Sequence, residues 1–144
     1  MRRTRLLLLV AVAGLAGCAG PTTKQMTARP PLVLPAADAF APGVCREAAE
    51  PILALGRFSY DRALARRLTD ADRAELAVQS ERLVKVRDAF ERTAEPVRAD
   101  RVGELLAAIG FARIRTGPTY DPQLLRDMET ARVRVQTFCT QARP

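Results

Sequence analysis

From Val44 onwards, apolar residues recur every three or four positions, which is the period of a helix with one buried face. The clearest stripe lies near the end of the chain, at intervals of four and three residues: Leu124, Met128, Ala131, Val135, Phe138 and Ala142. No stretch shows the sustained alternation with a period of two that is typical of a half-buried strand. The pattern therefore predicts an all-α domain.

The first two helices are predicted from their stripes and their end signals. One spans about residues 44–68, and its regular part is expected to begin at Pro51 because proline distorts a helix interior. The next opens at Thr69, and Asp72 stands three residues later, which resembles a capping box. Pro96 is expected to end this second helix or to kink it sharply.

Two further helices complete the predicted domain. The third spans about residues 96–115, and the fourth opens at Asp121 and Pro122, an N-cap acid followed by a proline at the first helical position. Four helices of this length with short connections favour an antiparallel four-helix bundle of up-down-up-down topology, built from residues 44–144.

Residues 19–43 differ from the helical part because five prolines interrupt them: Pro21, Pro30, Pro31, Pro35 and Pro42. Such a stretch cannot form a continuous helix and is interpreted as a proline-rich tether. Four apolar residues within it are unusual for a free linker: Leu32, Val33, Leu34 and Phe40. They either dock on the bundle or form a short extended motif for a partner.

The chain begins with three arginines within five residues, followed by a short apolar run from Leu6 to Ala13. This run is too short to span a membrane, which takes about 20 residues, and it has the layout of a signal peptide. It ends in Leu15-Ala16-Gly17-Cys18, which resembles the lipobox of bacterial lipoproteins.

The lipobox resemblance implies that residues 1–17 are a lipoprotein signal peptide and that Cys18 carries the lipid at the start of residues 18–43. An ordinary signal peptide with a chance cysteine is the alternative. Ala19, rather than an aspartate, follows the cysteine, which implies the periplasmic side of an outer membrane if the source has one. Two or three acyl chains on one residue would make release from the membrane negligible.

If Cys18 is lipidated, Cys45 and Cys139 remain as an even pair in an exported chain, and an oxidising compartment favours a disulfide between them. Two free buried thiols are the alternative in a reducing compartment. In a bundle with an even number of helices, the first helix starts at the end where the last one finishes. The pair therefore agrees with four helices.

Composition excludes several classes of function. The chain has no histidine, so His-based triads and the common zinc sites are excluded, and no metal or cofactor is expected. The formal net charge is +7, and three of the arginines lie in the leader, which leaves +4 from Cys18 onwards. The basic residues are spread along the chain, so no nucleic-acid interface is expected.

Candidate chemistry beyond Cys18 is sparse. Five carboxylates lie beside the predicted stripes and would form an acid–base pair only if two of them flanked a cleft: Glu47, Glu50, Glu104, Asp127 and Glu129. Solvated helix faces are the simpler interpretation, and no enzyme activity is expected.

Three further pairs of residues have a functional and a structural interpretation. Gln79 and Ser80 line a small-molecule cavity, fix the register of the bundle, or sit at the edge of the stripe with the amide in water, which is the favoured interpretation. Met128 and Phe138 line an apolar ligand pocket or pack in the core, which is the favoured interpretation. Arg113 and Arg115 bind an anion or form a solvated helix end.

The residues thus predict a protein that is lipid-anchored to the cell envelope and that acts as a binding or accessory module through protein–protein contacts. Its expected partners are the membrane, through acylated Cys18, and an envelope protein. The alternative function is a carrier or sensor of a small apolar ligand held between the helices. No residue pattern identifies the partner.

Overall fold

The computed structural model describes residues 29–115 and 120–141, and it confirms the all-α four-helix bundle. The four helices run Val44–Arg62 (α1), Asp70–Arg92 (α2), Pro96–Ile114 (α3) and Pro122–Gln141 (α4). A short 3₁₀ turn at Ala37–Ala39 precedes them, and the described residues contain no strand. Cys18, the leader and Ala142 lie outside the described residues. The chain divides after Pro30, and the fold below is that of the part from Pro31 onwards.

Each helix packs against its neighbour in the chain, and α1 also packs against α4, so the four helices close into a ring. Ion pairs show the antiparallel order of the first two: Arg62 at the end of α1 contacts Asp72 in the first turn of α2, while Glu50 contacts Arg82. The core is filled by large apolar side chains from all four helices, including Ile52, Leu55, Leu76, Leu83, Phe90, Leu105, Ile109, Met128 and Val135.

The start of α1 at Val44 agrees with the predicted span, but two other expectations about this helix are wrong. The helix continues through Pro51, so its regular part does not begin there. A proline at this place removes only one backbone hydrogen bond, and the disulfide described below anchors the preceding turns. At the other end α1 stops at Arg62, six residues early, because Leu68 is buried in the core from a non-helical segment and not from a continued helix.

The start of α2 is the predicted capping box. The Asp72 N–H donates to the Thr69 hydroxyl oxygen at 3.2 Å, and the Thr69 N–H donates to Asp72 Oδ2 at 2.8 Å. Arg62 Nε donates to the other carboxylate oxygen at 2.6 Å. Asp72 is buried, which by itself raises the pKa of the carboxyl, but the hydrogen bonds from Thr69 and Arg62 outweigh burial and hold that pKa below its ordinary value.

Cys45 and Cys139 form a disulfide with a Cα–Cα distance of 5.1 Å. It joins the first turn of α1 to the last turn of α4, which is the arrangement predicted for an even number of helices. The Ala41 N–H also donates to the Cys139 carbonyl at 2.8 Å. We call this end of the bundle, where the chain enters from the linker, the tether end.

Part of the proline-rich linker docks on the bundle. Phe40 is 1% exposed and belongs to the core, and Arg46 donates to its carbonyl at 2.9 Å. Leu34 packs against α1 at Gly56, where a Cβ atom would lie only 2.8 Å from a Leu34 methyl carbon. Val33, in contrast, is 86% exposed. Docking is therefore the correct interpretation for Leu34 and Phe40, and Val33 stays in solvent.

The docking can be tested by truncating Phe40. We expect Phe40→Ala to lower the free energy of unfolding by about 3 kcal/mol, because a fully buried aromatic ring is lost from the core. Val33→Ala is the matched control and should change it by less than about 0.5 kcal/mol. Urea unfolding followed by circular dichroism measures both. Similar small changes in the two variants would show that the linker does not contribute to the core.

The capping box predicts a pH dependence. Because the pKa of Asp72 is lowered on folding, its contribution is present at neutral pH and is lost as the pH falls below about 4, the ordinary value. We expect Asp72→Asn to lower the free energy of unfolding by about 1–3 kcal/mol at pH 7. This deficit should shrink at pH 3.

Urea unfolding at the two pH values measures this deficit. Asp70→Asn is the control. This substitution removes the same charge from the same turn, but the Asp70 side chain is almost fully exposed. A deficit for Asp72→Asn that stays the same at both pH values would contradict the assignment.

Candidate functional site

The five candidate carboxylates do not converge on one centre. Glu50 contacts Arg82, and Glu129 contacts Arg132, so both are used in ion pairs on different parts of the surface. Glu47 is exposed near the start of α1. Only Glu104 and Asp127 line the same groove, which lies on the outside of α3 and α4.

Glu104 is poorly suited to donate a proton. Arg101 donates to its two carboxylate oxygens at 2.8 and 3.0 Å, and Arg134 lies 3.5 Å away. The hydrogen bond from Arg101 is the main cause that holds the pKa of Glu104 below its ordinary value, and Arg134 adds to it. A general acid needs the opposite shift, so this pair of carboxylates does not resemble an acid–base site.

Gln79 lies in the core, so the expectation that its amide sits in water is wrong. Its Oε1 is buried and has no hydrogen-bond partner among the described residues. Ser80 beside it is half-buried. Neither of the two grooves described below includes Gln79. Its burial follows from its register between Leu76 and Leu83, which places it on the inner face of α2.

The arginine pair at the end of α3 is split. Arg115 is exposed, as expected for a solvated helix end, but Arg113 is half-buried, and its Nε has no partner among the described residues. Tyr120 after α3 likewise has a buried, unpartnered hydroxyl, and burial raises its pKa. Tyr120 could not be recognised from the sequence, because a lone tyrosine in a loop belongs to no repeating pattern.

Met128 and Phe138 have different roles. Met128 is fully buried, which confirms core packing. Phe138 is half-buried and contacts the core residue Phe90 in an edge-to-face arrangement, with ring centroids 5.9 Å apart. The guanidinium carbon of Arg98 lies 5.7 Å from the centre of the Phe138 ring and 6.0 Å from that of Phe90. These distances allow a cation–π interaction, and Phe138 therefore connects the core to the surface.

Phe138 and Arg98 line a groove of about 740 Å³ at the tether end, between the start of α3 and the end of α4. Its apolar lining includes Val97 and Val133, which are 71% and 41% exposed. Its charged lining includes three guanidinium groups and one carboxylate: Arg98, Arg101, Arg134 and Glu95. The lining of this groove is therefore apolar with an excess of positive charge.

A second groove, of about 480 Å³, continues along the same two helices away from the tether end. Arg134 lines both grooves, and it contacts Glu104 where they meet. The second groove is apolar at Phe111 and Leu124 and carries the carboxylates of Glu104 and Asp127. We call the continuous strip formed by the two grooves the α3–α4 face.

The α3–α4 face follows a regular pattern that the sequence analysis did not separate. On α4 most of its lining residues recur at intervals of three and four: Leu124, Asp127, Ala131, Arg134, Phe138 and Gln141. Thr130, Val133 and Thr137 also line it. The core stripe of the same helix consists of Leu125, Met128, Ala131, Arg132, Val135 and Cys139, so Ala131 belongs to both stripes. The single stripe predicted from the sequence combined residues of the core with residues of the α3–α4 face. On α3 the face repeats every seven residues at Val97, Glu104 and Phe111.

Other site types are not supported in the described part of the chain. Residues 29–115 and 120–141 contain no cluster of three or more acidic or cysteine side chains able to hold a metal ion. No helix within those ranges combines the length and the apolar character needed to cross a bilayer. No protein-family model, curated protein or solved structure matches this chain. The α3–α4 face is therefore assigned as the candidate site on its geometry and chemistry.

Proposed function

We propose that this protein is a lipid-anchored module of the cell envelope that binds a partner protein through its α3–α4 face. The leader and the sequence Leu15-Ala16-Gly17-Cys18 support the anchor, with Cys18 as the lipidated residue. The even pair formed by Cys45 and Cys139 agrees with an exported, oxidising location, since disulfides are rare in reducing compartments.

The observation that carries the binding function is the combination of exposed apolar and charged groups on the α3–α4 face. Val97 and Phe111 are 71% and 56% exposed, and they lie on one side of α3, two heptads apart. Contiguous apolar surface rimmed by polar residues is typical of protein-interaction sites. Arginine and aromatic residues, here Arg98 and Phe138, are also enriched at such sites.

The filled core supports a binding site on the outside of the bundle rather than between the helices. The largest side chains of the four helices occupy its centre, among them Phe90, Ile109 and Met128, each exposed by no more than 1%. The two grooves of the α3–α4 face are open to solvent at the surface, in contrast to the enclosed chamber that a carrier between the helices requires. This arrangement favours a docking surface.

A second candidate function rests on the groove at the tether end. Its volume of about 740 Å³ falls within the range of small-molecule sites, roughly 300–1,000 Å³. Phe138 and Val97 supply apolar contacts, and three guanidinium groups supply positive charge, so an anionic amphiphile is the ligand that fits. A lipid that copurifies with the protein would favour this function over protein binding.

The anchor is tested by replacing Cys18. We expect Cys18→Ser to abolish labelling of the chain by a radioactive or clickable fatty acid, because the thiol that would carry the lipid is removed. Cys45→Ala is the matched control, since it removes a thiol elsewhere and should leave labelling intact. Continued labelling of Cys18→Ser would exclude lipidation at this residue.

The binding surface is tested by crosslinking in living cells. A photoreactive amino acid at Val97, on the α3–α4 face, is expected to form adducts with a protein of the envelope. The same amino acid at Glu81, exposed on α2, is the control for random encounters. Adducts are identified by mass spectrometry. If position 97 gives no protein adduct above the level of position 81, the proposed function is wrong.

A further inference from the structure

The outer stripe of α4 is arranged symmetrically about Ala131, a small side chain that is 8% exposed and lines the second groove. Leu124 and Phe138 each lie seven residues from it, one on each side. Asp127 lies four residues before it and Arg134 three residues after it. All five line the grooves of the α3–α4 face. A two-fold rotation about an axis at the level of Ala131, perpendicular to the helix, therefore brings apolar Leu124 opposite apolar Phe138 and acidic Asp127 opposite basic Arg134.

The charges are complementary under this rotation. If α4 of a second copy lies antiparallel to α4 with Ala131 at the same level, Asp127 comes within about 1.5 Å, along the helix axis, of the level of Arg134 in the other copy. Both side chains are exposed. Gln123 Nε2 donates to Asp127 Oδ1 at 2.6 Å, so the pair would use Asp127 Oδ2. Arg134 retains free donors, because its contact with Glu104 is a single one at 3.5 Å. Two identical ion pairs would form, one on each side of the axis.

The apolar and aromatic groups agree with the same register. Leu124 lies at the level of Phe138 of the second copy, so an aliphatic group meets an aromatic one. On α3, Ala107 and Ala108 line the groove beside Ala131. Arg101 and Phe111 lie on opposite sides of that level, and the rotation brings them within about one helical turn of each other, where a cation–π contact can form.

From this self-complementarity we propose that the α3–α4 face binds a second copy of this chain as an antiparallel two-fold dimer centred on Ala131. The inference rests on the proposed function of this face as a binding surface and names its partner. Two-fold dimers use the same patch on both copies, with residue i against j and j against i. The exchange of Asp127 and Arg134 meets that requirement.

The size of the face predicts a weak dimer. The two helices are about 30 Å long and together about 20 Å wide, so their face has an area of roughly 600 Å² per copy. A dimer would therefore bury about 1,200 Å² in total. This is the lower limit of specific interfaces. Confinement of both copies to one membrane by Cys18 would raise their effective concentration and favour the dimer.

The two-fold axis is compatible with anchoring in one membrane. When the axis stands along the membrane normal, the helices lie parallel to the membrane, and both tether ends are at the same height. Cys18 of both copies could then anchor in the same leaflet.

The register is tested with charge variants in the full chain, by coexpressing two differently tagged copies and measuring their co-isolation from solubilised membranes. We expect wild-type copies to co-isolate. Asp127→Arg paired with itself places arginine against arginine, and Arg134→Asp paired with itself places aspartate against aspartate. Co-isolation should fall at least fivefold in both. When Asp127→Arg is coexpressed with Arg134→Asp, opposite charges face each other again, and co-isolation should return.

The mixed pair separates pairing from folding, because a variant that fails to fold cannot be rescued by another variant. Glu81→Arg copies are the control for a charge change off the face and should co-isolate like the wild type. No co-isolation of wild-type copies, no loss in the single variants, or no recovery in the mixed pair would each overturn the dimer.

Photocrosslinking at Val97 reports any protein on the face. An adduct with a different protein there, without recovery in the mixed pair, would overturn the dimer and retain the proposed function.

Discussion

The disulfide between Cys45 and Cys139 is the constraint on which the tether end depends. It joins the start of α1 to the end of α4, which are 94 residues apart in the chain. With that junction closed, Ala41 can donate to the Cys139 carbonyl, and Phe40 is held over the core. The same junction holds the turns of α1 that precede Pro51. The linker thus enters the bundle at a defined place, and the end of α4 is held where it forms one wall of the groove.

The helix ends with local chemical signals could be predicted from the sequence. Thr69 with Asp72 formed the expected capping box, and Pro96 lies in the first turn of α3. The Gln123 N–H donates to the Asp121 carboxylate at the start of α4, as an N-cap requires. The end of α1 could not be predicted. Leu68 is apolar because it enters the core from a loop, and this burial depends on tertiary packing that the helical period does not reveal.

The candidate site could be predicted only in part, because a helix that packs between two neighbours has one stripe of residues facing the core and a second stripe lining the surface groove. On α4 the core stripe and the outer stripe are offset by one position, so that Leu124 and Leu125, or Phe138 and Cys139, look equally apolar in the sequence. Only packing against α1 and α3 decides which of them faces inward. Gln79 is a different case, because its register between Leu76 and Leu83 indicates the inner face of α2, whereas its polar side chain favours water.

The net charge of the α3–α4 face is small, so under the proposed function its specificity would come from the order of its charges along the helices. Arg98 contacts Glu95, and both Arg101 and Arg134 contact Glu104, so guanidinium and carboxylate groups largely compensate each other. A surface of this kind does not attract every polyanion. Under the proposed function, it would distinguish partners by whether opposite charges fall at the correct height along the helices, while the apolar groups at Val97 and Phe111 would contribute affinity with less regard to register. Charge order would then set the register, and apolar exposure would make the contact favourable.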